Sequence, residues 1–344
     1  MAAESGDGQA QPGQARLEIK KGFPRSAFGS SPSRGRHQRP GKAVSAVSLV
    51  QTLMTLFSWF ELIASGLITG GIYALVALGL NLQYGLMRIL NIAHGEFLML
   101  GAYLTWMAHA VWGISPLLMV PVSFLVLMAL GVLIHKLCFR RLTATSPNLD
   151  IFEARGLMVA FGLMFLVQNF ASFMWGGDLR GYDYLTEPVK IGEAQFAGNK
   201  LLVFGLALLF SGALIALLRF TLLGKGVRAL MQSPTGAQLV GIDTQRLHPL
   251  MFGIGLGLSG MAGCLLSMAY TITPSMGEPY TVTALIVITL GGFGSMSGAL
   301  AGGLLLGVIE ALGMHFTNPS LKALLSYSVF IAVLLLRPRG LFAK

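Results

Sequence analysis

Charge is scarce in this sequence, and it is missing in long runs. Only 11% of the 344 residues are Asp, Glu, Lys or Arg, where a soluble globular chain carries about 25%. No charged residue occurs between Glu61 and Arg88, Glu96 and Lys136, Arg155 and Asp178, Arg246 and Glu278, or Glu278 and Glu310. Each gap is long enough for the roughly 20 apolar residues that carry a helix across a bilayer core. A soluble fold would have to bury that many helices on every side, a weaker reading for so many segments. The short alternating segments of a membrane barrel are also missing, which leaves helices as the spanning structure. The expected fold is all-α: a polytopic transmembrane helical bundle.

Further absences exclude classes of function. There are two cysteines, Cys138 and Cys264, in or beside apolar segments. Without metal spacing or a disulfide framework they read as small core residues. No G-x-x-x-x-G-K-[ST] is present, since Gly224-Lys225 is followed by Gly226, so the chain has no phosphate-binding loop of its own for ATP. No H-E-x-x-H, nucleophile elbow or metal-ligand set occurs. His109, His135, His248 and His315 stand alone and read as interfacial or structural. We therefore expect no catalytic residue, metal or cofactor, and a transport subunit rather than an enzyme.

What is abundant is apolar side chains, at 54%, and glycine, at 44 residues, as expected where membrane helices pack closely. The formal charge of +10 has two sources. Residues 1–42 contribute +5, and the basic loops of the remainder contribute the other +5. The basic balance thus points to a tail and cytoplasmic loops, not to nucleic acid. Residues 1–50 are rich in Gly, Pro, Ser and Arg and read as a disordered basic extension, with Met54 as a candidate start. They do not form a convincing signal peptide. The membrane domain is expected over 54–342. Helices are expected at 62–82, 89–111, 116–137, 157–175, 201–219, 249–270, 280–291, 298–315 and 321–336. The short 280–291 piece is either half a re-entrant element or a helix that continues through the glycines. Residues 44–60 are either an interfacial helix or a further span, giving eight to ten spans in all.

Lys and Arg set the orientation. The loop with Lys136, Arg140, Arg141 and Arg155, the loop with Arg219, Lys225, Arg228 and Arg246, and the tail with Arg337, Arg339 and Lys344 read as cytoplasmic. The acidic loop 176–200 reads as external. Counted backwards, this places the start of the first span outside, against the basic tail unless 44–60 also crosses.

Three stretches carry chemistry. The first is Gly70-Gly71-Ile72-Tyr73-Ala74-Leu75 followed by Asn91-Ile92-Ala93-His94-Gly95-Glu96. An ionisable pair in an apolar segment is costly and needs partners. His94 and Glu96, two apart, point to different helix faces, and Gly95 lets a neighbouring backbone approach or the helix break. Asn91, His94, Gly95 and Glu96 either line a translocation path or form a structural polar cluster. The second runs from Gly224 through Gly226 and Arg228 to Gly241-Ile242-Asp243. Ser233 and Pro234 are start signals, Gly241 is a stop signal, and Ala237, Leu239 and Val240 give a small apolar surface. This is an ordinary loop or a docking element for a cytosolic partner. The third contains Gly291, Gly292, Gly294, Gly298, Gly302, Gly303 and Glu310. Gly298/Gly302, Gly303/Gly307, Gly66/Gly70 and Gly253/Gly257 have the spacing of close helix packing.

Taken in order, the Gly-x-Tyr-Ala-Leu of the first span, the Asn-Ile-Ala-His-Gly-Glu block, the Gly-x-x-x-Arg-Ala…Gly-Ile loop and the Gly-Gly-x-Gly-Ser…Gly-Gly…Glu-Ala block resemble the LivH type of permease in branched-chain amino-acid ABC importers. The resemblance covers about 54–342. It departs at Ile92, where Phe is usual, and at Thr235 and Gln238, where an acidic and a basic residue are common, so a charge pair is missing from the docking helix. The resemblance implies an ABC importer permease fold in the bacterial inner membrane. It also implies a heterodimer with a LivM-type permease, two cytosolic ABC ATPase subunits, a periplasmic substrate-binding protein, and 226–241 as the coupling helix. Urea, short amides or aromatic acids are alternative cargoes of the same architecture. A stand-alone secondary transporter or channel would need an intramembrane carboxylate, for which only Glu96 and Glu310 are candidates.

Overall fold

A computed structural model describes residues 41–191, 194–337 and 340–342; most of the expected extension, residues 1–40, lies outside them. The chain divides into two units, 1–49 and 50–344. Of the first, only 41–49 are described, as helix.

The elements in chain order are α1 (Gly41–Met87), α2 (His94–Trp112), α3 (Pro116–Ile134), α4 (Arg140–Thr145), α5 (Leu149–Trp175), β1 (Pro188–Ile191), β2 (Ala194–Ala197), α6 (Gly198–Phe220), α7 (Leu222–Gln232), α8 (Pro234–Leu239), α9 (Thr244–Ser267), α10 (Gly277–Gly291), α11 (Met296–Phe316) and α12 (Lys322–Leu336). A π-helical turn, His135–Phe139, joins α3 to α4. Among the described residues, six helices are long and apolar enough to cross a membrane: α1 from Trp59, α3 with its extension, α5, α6, α9 and α11. α12 is a shorter apolar helix, and α2 and α10 pack among these. At a rise of about 1.5 Å per residue the 15-residue α10 is about 22 Å long, short of a bilayer core of about 30 Å. The stretch 44–60 falls within α1, whose membrane-spanning part begins at Trp59 among the described residues.

Contacts define two ends of the unit 50–344. At one end, Met231 of α7 lies near Gly85 and Gly294, Arg155 donates to Thr145 O, and Leu341 N donates to Leu290 O at 2.8 Å. This end gathers the basic loops. At the other end, Trp59 packs on His315 and Phe316, Arg180 pairs with Ile272, and Asn199 Nδ2 donates to Met268 O at 2.9 Å. This end carries a two-stranded antiparallel hairpin, Val189 opposite Phe196. The basic and hairpin ends therefore separate the same loops that the charge distribution separates. Five helices starting at the basic end carry side-chain caps: Asn148 for α5, Thr221 for α7, Ser233 for α8, Asp243 for α9 and Ser295 for α11. Each such cap is worth about 1 kcal/mol.

α9 forms the axis and is buried along nearly its whole length, whereas α5 is mostly uncovered. Glycine makes this packing possible. A Cβ on Gly253 would sit 2.7 Å from Met128 O of α3, and one on Gly257 2.8 Å from Phe124 O. On the other flank, a Cβ on Gly101 of α2 would sit 2.7 Å from Gly260 Cα. Gly66 and Gly70 of α1 meet Gly303 and Gly307 of α11, and Gly298 and Gly302 of α11 meet α10 at Gly291 and Val287.

The helix α10 does not continue through the glycines. It stops at Gly292, with φ 93°, and Gly294 follows with φ 78°. Gly292 and Gly294 were expected in a packing seam, but they form the break itself, because only glycine takes such backbone angles without strain.

Candidate functional site

α2 begins inside the bundle, not at its surface. α1 ends at Met87, Arg88 turns back with φ 54°, and an irregular segment leads to His94. The start of α2 has no side-chain cap; its first N–H groups bond inward. His94 N donates to Asn91 O and Glu96 N to Ala93 O. Gly95 N donates to Thr281 Oγ1 of α10 at 2.8 Å.

Around this start lie Asn91, His94 and Glu96, none more than 1% exposed. Asn91 Nδ2 donates to Gln83 Oε1 at 3.1 Å, and Gln83 Nε2 donates to Phe252 O of α9 at 3.2 Å. His94 turns to α1, with Nε2 3.1 Å from Val76 O, and Ser259 Oγ of α9 donates to His94 O at 2.7 Å. Glu96 turns to α10, where a Cβ on Gly277 would lie 2.7 Å from its carboxyl carbon. Neither Glu96 oxygen has a hydrogen-bond partner among the described residues. Its neighbour is the start of α10, the positive end of that helix's dipole. Gly95 and Gly277 thus let two helix starts approach, with a carboxyl group at the junction. The four residues are brought together, buried, where α1, α2, α9 and α10 meet.

Two other polar centres have partners that sequence reasoning missed. Asn81 holds the break after α10: Gly294 N donates to its Oδ1 at 2.7 Å, and its Nδ2 donates to Ser295 O at 2.9 Å. Glu310, read from the sequence as a packing residue and as a candidate intramembrane carboxylate, is 2% exposed. Tyr73 OH donates to Oε2 at 2.7 Å, Ser326 Oγ donates to Oε1, and Lys322 Nζ lies 3.5 Å from Oε2. The signal was present in the sequence. Lys322 is the sole cation between Arg246 and Arg337, and an intramembrane carboxylate calls for one.

At the basic end, the stretch read as a loop or docking element folds as two helices. Lys225 and Arg228 lie on α7, and α8 follows after Ser233. Arg228 Nη1 donates to Leu218 O, and to Arg219 O at 3.3 Å, so it tethers the end of α6. Gly226 packs beside Ile242 and Leu247. Gly241 has φ 82° and closes α8. One expectation needs correction. Ala237 is 2% exposed and packs into the core, while Leu239 and Val240 are 84% and 75% exposed. At helical spacing, positions two apart face opposite sides, so the apolar surface divides between an inner and an outer part. Beside it runs a groove of about 350 Å³ lined by Leu222, Leu223, Ile242 and Leu247.

Residues 62–334 match the family model for the permease component of branched-chain amino acid transport systems. The chain belongs to this permease family. It is 30% identical over 304 residues to the high-affinity branched-chain amino acid permease protein BraD of Pseudomonas aeruginosa, covering 84% of this chain and 97% of that protein. It is also 30% identical over 295 residues to LivH of Escherichia coli, covering 81% and 94%. LivM of the same organism is more distant, at 23% identity over 324 residues. The chain is a multi-pass membrane permease subunit.

For this permease the buried cluster carries a direct expectation. His94→Ala removes the ring that links α2 to α1 and leaves a void, a change costing about 2–4 kcal/mol in a packed core. Glu96→Gln replaces the carboxyl group beside the start of α10 with an amide. Uptake should fall at least about tenfold in each, with the variant still present in the membrane fraction. Wild-type uptake in both variants would show that the cluster merely fills space.

Proposed function

We propose that this chain is one half of the membrane pore of an ATP-driven importer of branched-chain amino acids in the bacterial inner membrane. It pairs with a LivM-type permease, receives substrate from a periplasmic binding protein, and couples to two cytosolic ATPases. The relation to permeases of two high-affinity branched-chain amino acid systems, along nearly their whole length, carries this reading. The basic end faces the cytoplasm and the hairpin end the periplasm, in keeping with the Lys/Arg bias. α7 and α8 form the coupling element. ATP binding closes the ATPases, that motion reaches the spans through α8, and access alternates with no bond made or broken in this polypeptide. The cluster around His94 and Glu96 makes α2, α9 and α10 move as one body. The extension at 1–50 takes no part in transport.

The test is reconstitution of the five components in proteoliposomes. Binding-protein-dependent, ATP-dependent uptake of labelled leucine, isoleucine and valine is expected. ATP-dependent uptake of urea, acetamide or benzoate in their place would reassign the cargo, and uptake without the ATPases would overturn the class. In a background with Cys138→Ala and Cys264→Ala, Thr235→Cys and Glu187→Cys should label from opposite sides of the membrane. Labelling from one side would overturn the orientation.

A further inference from the structure

Two sequence blocks far apart in the chain meet at one hydrogen bond, Tyr73 OH to Glu310 Oε2, across 237 positions. The bond closes one wall of a cavity of about 210 Å³ bounded by α1, α10, α11 and α12. That is below the roughly 300–1,000 Å³ of pockets for drug-sized ligands, and so suits a smaller molecule. The wall is chemically mixed. Its lining holds Glu310, Ser326, Lys322 and Tyr73 together with Tyr280 and Ile286, and the Tyr280 ring lies 6.4 Å from that of Tyr73.

The polar lining has capacity to spare. A carboxylate offers about four lone-pair sites, and Glu310 uses two in hydrogen bonds, from Tyr73 and Ser326, with the Lys322 ammonium alongside. Lys322 has three N–H donors. Its ammonium is 3.5 Å from Glu310, longer than a charge-assisted hydrogen bond, and lies 5.5 Å above the Tyr73 ring. Its side chain is 44% exposed, against 2% for Glu310. One anion and one cation therefore face the same small cavity, each able to take a further partner. The position is also suggestive. Glu310 lies six residues from the end of α11 at Phe316, about 9 Å inside the hairpin end.

We propose that this cavity is a binding subsite for a single zwitterionic amino acid with an apolar side chain. Its α-ammonium group bonds Glu310 and its α-carboxylate bonds Lys322. Its side chain lies along Tyr280 and Ile286. The subsite rests on the import function proposed above and gives the periplasmic side of the path a first station.

The test uses the full-length chain paired with its partner permease, with Cys138→Ala, Cys264→Ala and Ala323→Cys. Ala323 lines the cavity and is exposed. L-leucine should slow alkylation of the new thiol about tenfold at ten times its Kd, as single-site occupancy requires. Leucinamide, which lacks the carboxylate, and 4-methylpentanoate, which lacks the ammonium group, should each need about tenfold more for equal protection. Lys322→Gln should abolish the preference for leucine over leucinamide and leave its preference over 4-methylpentanoate. Glu310→Gln should do the converse. A residue acting only through folding would shift all three ligands together. Lys322→Arg should retain the preference.

Three results would overturn the subsite. They are no protection by leucine, equal protection by all three ligands, or shielding by phosphatidylglycerol vesicles alone, which would make the cavity a lipid groove. Leucine uptake by the reconstituted wild-type importer separates these from failure of the import function. With uptake intact and protection absent, only the subsite falls.

Discussion

Gly263→Val is expected to abolish recovery of folded permease from membranes. Gly263 sits where α9 crosses α2, and a Cβ there would overlap Leu98 O and stand 3.1 Å from Ala102 N. Both are backbone atoms of a helix, so no side chain can swing aside. Relief would require α2 and α9 to separate, and Gly101 against Gly260 holds the same seam. Overpacking a core costs about 1–3 kcal/mol where side chains can adjust. Here backbone must move, against a total stability of about 5–15 kcal/mol for a typical domain. Gly212→Val is the control: nothing lies within 4 Å of a Cβ at that position. Size-exclusion chromatography of detergent extracts should show a monodisperse peak for Gly212→Val and aggregate or no protein for Gly263→Val. A normal peak for Gly263→Val would mean that α2 and α9 do not pack as described.

The bundle was largely legible in the sequence because a bilayer imposes a coarse rule. Long runs without charge have few alternatives to helix, and each expected helix has a counterpart in the structure. The glycine spacings were legible as packing, but not their partners. Nothing local says that Gly66 and Gly70 meet Gly303 and Gly307. The hairpin at β1 and β2 was missed because two four-residue strands leave little periodic signal beside a strong helical one. α7 was read as a loop with basic residues. Its apolar positions Val227 and Leu230, both 1% exposed, are three apart and mark a helix face.

The site was legible as a set of costly residues, not as an arrangement. Asn91, His94 and Glu96 stood out because they are polar where polarity is expensive. Whether they wall a passage or lock a junction depends on Val76, Phe252, Ser259 and Thr281, which no local pattern ties to them. The same limit hid the Tyr73–Glu310 bond. Ala237 was misjudged for a plainer reason. A short helix shows its composition in the sequence, but which face turns inward is decided by what it packs on.

That correction changes how coupling must be tested. Ala237→Arg would drive a charge into the permease's own core, since Ala237 is 2% exposed, and its failure would say nothing about a partner. Leu239→Arg is the informative variant. Leu239 is 84% exposed at the end of α8 and Val240 is 75% exposed beside it, so neither contributes to folding. Both lie at the basic end, where an apolar surface meets water unless a partner covers it. Gly241 fixes the exit of the chain with φ 82°, which holds the two side chains outward on a rigid turn. If they seat in a cytosolic ATPase, an arginine in the contact leaves a charge without a partner, at a cost of about 2–5 kcal/mol. Association should weaken at least about thirtyfold. The variant should insert in the membrane and pair with its partner permease normally. It should lose both the copurifying ATPase and substrate-stimulated ATP hydrolysis. Gly241→Val should act more mildly, since a left-handed backbone costs a side-chain-bearing residue about 1–2 kcal/mol. Normal ATPase copurification and unchanged stimulated hydrolysis in Leu239→Arg would remove α8 from the coupling path and turn attention to the groove beside α7.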